Sequence, residues 1–257
     1  MDLGWFETSL DVRDIAKSVA FYQTLGFQHL EGDVAVRTVT LNGGDCRLTL
    51  FQGHLDPART QLIFWQGDVE AIAREISAKG LVLQRGPNVS KDGASAMLFD
   101  PDGHPLFFIN MPVHFINDPA HARPAPPSRP RADNEDDLTL GRFVLSLPVV
   151  DIQRSLAFYD KLGFRRFDQG RDAHTATLYK RDCHIALYQG YLDPPEPQLI
   201  FWQGEVEAIG RDLIAKGLHF EREPFRDENG VGWMLFDPDR HPIYFVNITR
   251  LARGTAA

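Results

Sequence analysis

The chain has 257 residues, 43% of them hydrophobic and 24% charged, an ordinary globular balance that excludes disorder as the main state. Its formal net charge of −8 argues against nucleic acid as the main partner, because proteins that grip a phosphate backbone carry a basic footprint. Two cysteines, Cys46 and Cys183, make no disulfide framework and suit a reducing compartment. The first residues lack a basic region followed by an apolar run, and no stretch reaches the roughly 20 apolar residues of a membrane span. These features predict a soluble, cytoplasmic protein with neither a nucleic-acid nor a membrane partner.

Residues 5–12 read as a strand. Asp14 is placed to cap a helix carrying Ile15, Val19 and Tyr22 on one stripe, and Gly26 to end it. Strands are predicted over 34–41 and 45–52, with Gly43-Gly44 as the turn between them. The order then begins again. A strand over 61–66 leads to a helix bearing Val69, Ile72, Ala73 and Ile76 that ends at Gly80. Strands near 94–99 and 105–110 flank the turn Asp100-Pro101-Asp102-Gly103.

The whole series is then written a second time. Phe21-Tyr22 returns as Phe158-Tyr159, a displacement of 137 positions, and Gln61 to Gly67 returns unchanged as Gln198 to Gly204. Residues 4–110 align on 141–247 without a gap. A period this long marks a duplicated domain, since solenoid repeats run roughly 20–50 residues. Between the copies, Pro119, Pro124, Pro126, Pro127 and Pro130 precede the acidic stretch Asp133 to Asp137, a composition that gives a semi-extended spacer. The predicted organisation is a first domain over 1–112, a Pro-rich linker over 113–139 and a second domain over 140–251.

Two motifs carry a family resemblance. One is Asp14-Ile15-x-x-Ser18-x-x-Phe21-Tyr22-x-x-Leu25-Gly26-Phe27, repeated over Asp151 to Phe164; the other is Phe99-Asp100-Pro101-Asp102-Gly103 before the last strand. Both copies resemble the vicinal oxygen chelate superfamily, which includes glyoxalase I, extradiol dioxygenases, fosfomycin-resistance transferases and bleomycin-resistance proteins. The resemblance implies an α+β fold of two tandem vicinal oxygen chelate domains. Four βαβββ modules would form curled mixed sheets around cavities, with helices outside. It also implies a small-molecule ligand, and either a monomer acting as a pseudo-dimer or a homodimer.

The superfamily's metal-ligand positions, carried over through the resemblance, fall on Glu7 and Val144, on Gln61 and Gln198, and on Phe107 and Tyr244. The remaining position is Arg47 or Thr49 in one copy and His184 or Ala186 in the other. A catalytic divalent metal needs about three protein ligands and an open position. These residues do not assemble the usual His/Glu set, so no cofactor is favoured. The alternative is Fe, Mn, Ni or Zn at an atypical site drawn from Glu7, Gln61, Gln198 and His184.

Strand alternation sorts the faces. With Glu7 inward, Ser9 and Asp11 follow, and so do Arg47, Thr49 and Phe51, and Gln61, Ile63 and Trp65. The second copy offers His184, Ala186 and Tyr188 with Gln198, Ile200 and Trp202. The candidate ligand-binding residues are Arg47, Thr49, Gln61, Trp65, Phe107, Gln198, Trp202, Trp233 and Tyr244. Trp65 and Trp202 either stack on a flat ligand or pack as core. Trp233 in place of Ala96, and Arg142 in place of Trp5, should give the two cavities different shapes. Glu7 is the candidate catalytic carboxylate: among aromatics its pKa rises and it suits a general base, whereas a salt bridge to Arg47 holds it ionised. His184 is the second catalytic candidate, but neighbouring strand residues point to opposite faces, so it does not pair with Cys183. Both cysteines read as buried thiols, and His104 and His241 as parts of the Asp-Pro-Asp turns.

The expected function is a small-molecule-binding protein of the glyoxalase/bleomycin-resistance type that sequesters an aromatic or hydrophobic ligand. The alternatives are a glyoxalase- or dioxygenase-like enzyme with an atypical metal, or a metal-free proton-transfer enzyme using Glu7 or His184.

Overall fold

The computed structural model describes residues 1–56, 59–91, 93–111, 137, 139–167, 173–221, 224–227 and 230–248. In the first copy the elements are β1 (Gly4–Asp11), α1 (Ile15–Thr24), β2 (Gln28–Asp33), β3 (Thr38–Gly43), β4 (Cys46–Phe51), β5 (Gln61–Gln66), α2 (Val69–Ala78), β6 (Arg85–Ser90), β7 (Gly93–Phe99) and β8 (Pro105–Asn110). The second copy contributes β9 (Arg142–Val149), α3 (Ile152–Lys161), β10 (Arg165–Arg166), β11 (Thr175–Lys180), β12 (Cys183–Gln189) and β13 (Gln198–Trp202). It continues with α4 (Val206–Ala215), β14 (Phe225–Asp227), β15 (Gly230–Phe236) and β16 (Pro242–Ile248). The proposed linker, 113–139, lies outside the described residues except for Asp137 and Thr139, and so does the end of the second domain after Ile248.

Local chemistry explains most of these boundaries. Asp14 accepts a hydrogen bond from the Lys17 amide, Asp68 from Ala71, and Asp151 from Gln153 and Arg154, so three helices start on a carboxylate cap. Glu205, one methylene longer, makes no such bond at the start of α4. The strand expected over 34–41 is two things instead. Val34–Val36 is a 3-10 turn, and β3 begins only at Thr38. β2 and β6 lie at the two edges of their sheet, and their sequences, Gln-His-Leu-Glu-Gly-Asp and Arg-Gly-Pro-Asn-Val-Ser, show no alternation. Edge strands bury little, so pattern alone does not mark them.

Each copy forms its own eight-stranded mixed sheet, in the orders β2-β3-β4-β1-β5-β8-β7-β6 and β10-β11-β12-β9-β13-β16-β15-β14. Modules therefore pair within a copy. At each centre the first strands of the two modules run antiparallel: Glu7 opposes Ile63 and Ser9 opposes Gln61 in the first sheet, while Val144 opposes Ile200 in the second. The helices cover one face of each sheet and share one apolar core. It contains Phe6, Leu10, Leu48, Leu62, Phe64, Phe108, Ile72 and Tyr22 from the first copy, and Phe143, Leu145, Ile185, Phe201, Phe245 and Tyr159 from the second. Phe27 meets Phe201 and Phe64 meets Phe164 edge-on across the boundary between the copies.

Trp233 belongs to this helix side and does not line the concave face. It opposes Phe245 on β16, packs 4.3 Å from the Phe220 ring and lies directly over Gly210 of α4, where an added Cβ would fall 2.5 Å from the indole. The first copy has Ala73 and Ala96 at the two matching positions. One bulky and one minimal residue replace two small ones, and the volume between helix and sheet is kept.

Candidate functional site

The face opposite the helices is concave in both copies, and the two faces differ in chemistry. In the first, Trp5, Glu7, Ser9 and Asp11 project from β1. Arg47, Thr49 and Phe51 project from the neighbouring β4, Gln61, Ile63 and Trp65 from β5, and Phe107 and Ile109 from β8. Glu7 is 3% exposed and sits 3.6 Å from the Arg47 guanidinium, itself fully enclosed. The Thr49 hydroxyl donates to Glu7 Oε2 at 2.8 Å, and Thr40 on β3 bonds Thr49 at 2.9 Å. Burial pushes the Glu7 pKa up to about 7, with the charge of Glu31 adding to the rise and Arg47, Thr49 and Trp65 opposing it. The two readings of Glu7 thus coexist: it is ion-paired, and its proton affinity is still raised.

Above this polar floor lies a small apolar cluster separate from the main core. It comprises Trp5, Phe51, Ile63 and Trp65, edged by the half-buried Leu55, Phe107 and Ile109. The Trp5 indole N–H and the Ser9 hydroxyl are buried and have no hydrogen-bond partner among the described residues.

The second face is more open and more aromatic. Val144, Ala186 and Ile200 form its buried floor, together with Ser146 and Gln198. The Gln198 amide donates to the Pro194 carbonyl at 2.9 Å, and the Ser146 hydroxyl has no partner among the described residues. Around the floor stand the half-buried Tyr179, His184, Tyr188, Trp202 and Tyr244, with exposed Arg142 at one edge. His184 opposes Tyr179 across β11 and β12. Cys183 is wholly buried on the helix side, so it does not meet His184.

Glu7, Arg47, Thr49, Gln61, Trp65 and Phe107 thus share one face, while His184, Gln198, Trp202 and Tyr244 share the other. The structure adds Thr40, whose inward position follows from a β3 register that the misplaced strand start obscured. It also adds a set of bonds between the copies. The Asp-Pro-Asp turns do more than reverse the chain: Tyr159 donates to Asp100 Oδ2 at 2.9 Å, and Tyr22 to Asp237 Oδ2 at 3.0 Å, each across the boundary. His104 and His241 bond the same two carboxylates through Nδ1 at 2.8 and 2.9 Å. Ser155 donates to Asp102 and Ser18 to Asp239.

A divalent metal at the superfamily's position does not fit these residues. In the first face the cationic Arg47 guanidinium stands beside the Glu7 carboxylate, and a phenyl ring, Phe107, fills the last ligand position. In the second face Val144 and Tyr244 supply no carboxylate or imidazole. Among the described residues no group of three or more His, Cys, Asp or Glu side chains is arranged to hold a metal ion.

A profile of the Glyoxalase/Bleomycin resistance protein/Dioxygenase superfamily matches residues 5–108 and 139–245. The chain belongs to this superfamily, with one member domain in each copy. An uncharacterised protein of Mycolicibacterium smegmatis is 32% identical over 101 residues, which is 38% of this chain and 86% of that one. Among solved structures, an extradiol ring-cleaving dioxygenase of Brevibacterium fuscum superposes with a TM-score of 0.61 at 20% identity, covering 95% of this chain and 70% of its own. Homoprotocatechuate 2,3-dioxygenase of Arthrobacter globiformis gives 0.61 at 21% identity, over 94% and 78%. The Mn(II)-bound glyoxalase of Novosphingobium aromaticivorans gives 0.61 at 17%, over 94% and 80%. At these identities the likeness shows the shared fold. No helix among the described residues is long and apolar enough to cross a membrane.

Proposed function

We propose that the chain is a small-molecule-binding protein that holds an aromatic ligand on the concave face of the second sheet without a metal ion. The observation that carries this reading is the ring of half-buried Tyr188, Trp202 and Tyr244 around a buried floor of Val144, Ala186 and Ile200. Apolar walls with a few fixed polar groups, here Gln198 and Ser146, are the usual make-up of a ligand pocket. Stacking on Trp202 supplies orientation as well as buried area. The ring-cleaving dioxygenase that shares the architecture handles, by its name, a ring-bearing substrate. The donor chemistry described above favours retention of the ligand over its metal-assisted conversion. Glu7, with its near-neutral pKa, suits proton transfer, but it is sealed beneath the aromatic cluster of the other sheet.

The test is a fluorescence and calorimetric titration of the whole protein with catechol and phenylacetate. The expected result is saturable binding, weakened about tenfold or more by Trp202→Ala, as loss of about 1.5 kcal/mol of stacking and contact implies. No ligand should be consumed, with or without added Fe(II) or Mn(II). Ring-fission product on adding a metal, or binding indifferent to Trp202→Ala, overturns the reading.

A further inference from the structure

The reciprocal bonds between the copies define a pseudo-two-fold axis that relates the two Asp-Pro-Asp turns. Around the turn of the second copy, the Arg13 amide donates to Asp239 Oδ1 at 3.0 Å, and Arg13 Nε donates to the same oxygen at 2.8 Å. Arg13 Nη2 donates to the Pro238 carbonyl at 3.0 Å. One guanidinium thus bridges a carboxylate and a carbonyl, a use that its planar fork of donors suits. Around the turn of the first copy the backbone repeats this arrangement and the side chain does not. Val150 stands at the position matching Arg13. Its amide donates to Asp102 Oδ1 at 2.8 Å, and Ser155 donates to Oδ2 at 2.7 Å. Among the described residues no cation pairs with Asp102, and nothing donates to the Pro101 carbonyl, the counterpart of Pro238.

Open space lies beside this turn. A cleft of about 840 Å³ runs along the seam between the copies, bordered by Asp102, His104, Val150, Glu196 and Arg59. That volume suits a small molecule. Arg240, on the same cleft, pairs with Glu221 at 3.3 Å, and Asp239 pairs with Arg13 at 2.8 Å. Each histidine answers the aspartate of its own clasp. The charges left over are Asp102 and Glu196 against Arg59, so the cleft is one positive charge short. Arg59 is itself held on the Gly103 carbonyl at 3.0 Å. His104 adds an acceptor. It is 7% exposed, and with Nδ1 bonded to Asp100 the neutral ring presents Nε2, which no described residue bonds. Val150, 83% exposed, and Pro197 supply an apolar wall.

We propose that this cleft binds a small molecule carrying a guanidinium on an aliphatic stem, held by Asp102 and the Pro101 carbonyl as Arg13 is held by Asp239 and Pro238. A guanidinium has five N–H donors and no acceptor. The site answers with acceptors alone: the Asp102 and Glu196 carboxylates, the Pro101 carbonyl and His104 Nε2. The stem lies along Val150. This site sits beyond the ends of β9 and β12, away from the aromatic-ligand face, and is independent of it.

The test is an NMR titration of the whole protein with n-butylguanidinium, n-butylammonium and the neutral isostere n-butylurea. The expected result is saturable binding of the guanidinium at one site, with shifts centred on the amides of Asp102, Gly103 and Val150. It should be about tenfold or more tighter than for the urea, and severalfold tighter than for the ammonium, which cannot bridge both oxygens in one plane. Asp102→Asn should weaken it about tenfold, and Trp202→Ala should leave it unchanged. Val150→Arg places on Asp102 the group that Arg13 places on Asp239, and should abolish binding. Because the other copy already carries Arg at that position, this variant keeps the test decisive if Asp102→Asn fails to fold. Equal affinity for the urea or the ammonium, shifts spread over the acidic surface without saturation, retained binding in Val150→Arg, or no binding overturns the inference.

Discussion

Glu7 and Gly210 show how single side chains set the character of each sheet. Glu7 is an acid whose folded pKa lies above its unfolded value, because burial outweighs Arg47. Folding therefore favours the protonated form. The native state is relatively best supported below the ordinary carboxylate pKa and loses that support as pH rises towards 7. Comparing Glu7→Gln with the parent by denaturant unfolding from pH 4.5 to pH 8 should show the difference in unfolding free energy moving towards the variant. The movement should be on the order of 3 kcal/mol, at about 1.4 kcal/mol per pKa unit. A flat difference would mean that Arg47 holds Glu7 ionised throughout. At Gly210 the issue is space. Gly210→Ala drives a methyl to 2.5 Å from the Trp233 indole, and overpacking of this kind costs about 1–3 kcal/mol. Trp233→Ala leaves a void instead, at about 3–5 kcal/mol. The double variant recreates the Ala73/Ala96 pair of the first copy and should cost clearly less than the sum of the two, a coupling that a double-mutant cycle reads directly.

The elements divide by how much apolar surface they bury. α1, α2 and the central strands were legible in the sequence, because their stripes, alternation, Asp caps and following glycines all state the same structure. The weakly buried edge strands β2, β6, β10 and β14 were not, since a polar strand held by backbone bonds leaves no period to read. The inward faces of β1, β4 and β5 followed from alternation once one residue was placed. Trp233 was misplaced because a Trp at a strand position reads equally as cavity wall or helix-side core; only its pairing with a glycine on α4 decides. The caps make a prediction at this scale. Asp151→Ala removes bonds to two amides at the start of α3 and should cost about 1 kcal/mol in thermal or chemical unfolding. The change Glu205→Ala at α4, where no cap bond exists, should cost much less. Equal losses would show that these carboxylates act through the helix dipole rather than through bonds.

At the scale of the whole molecule, the two sheets are joined by an apolar core and a reciprocal pair of Tyr–Asp–His clasps. Burial and the neighbouring aspartates hold the Tyr22 and Tyr159 phenols far above their ordinary pKa, so both remain donors. Burial alone would lower the His241 pKa, but its bond to Asp237, with the charges of Asp237, Asp239 and Glu196, carries it above the ordinary value. That clasp contributes fully below about pH 6.5 and fades as pH rises through the folded value. Tyr22→Phe removes one buried donor from Asp237, which keeps those of His241 and the Asp239 amide, and should cost about 1–2 kcal/mol. The loss should be smaller at pH 6, where protonated His241 still pairs with Asp237, than at pH 9, as measured by urea unfolding. Expression of residues 1–112 alone should yield a homodimer in sedimentation equilibrium. Tyr22 and Ser18 of one copy match Tyr159 and Ser155, and can satisfy Asp100 and Asp102 of another.

The clasps draw on residues that recur in both copies, whereas the concave faces repeat only in part, as along β5 and β13 and at Ser9 and Ser146. In a homodimer every substitution appears in both pockets at once, so a change that suits one ligand is imposed on the other site. Joining the copies in one polypeptide removes that obligation. Arg142 faces the place of Trp5, Val144 that of Glu7 and His184 that of Arg47, while the docking contacts beneath them stay matched. Covalent linkage thus separates inheritance of the scaffold from inheritance of the concave face, and lets the two faces of one molecule diverge on a single symmetric chassis.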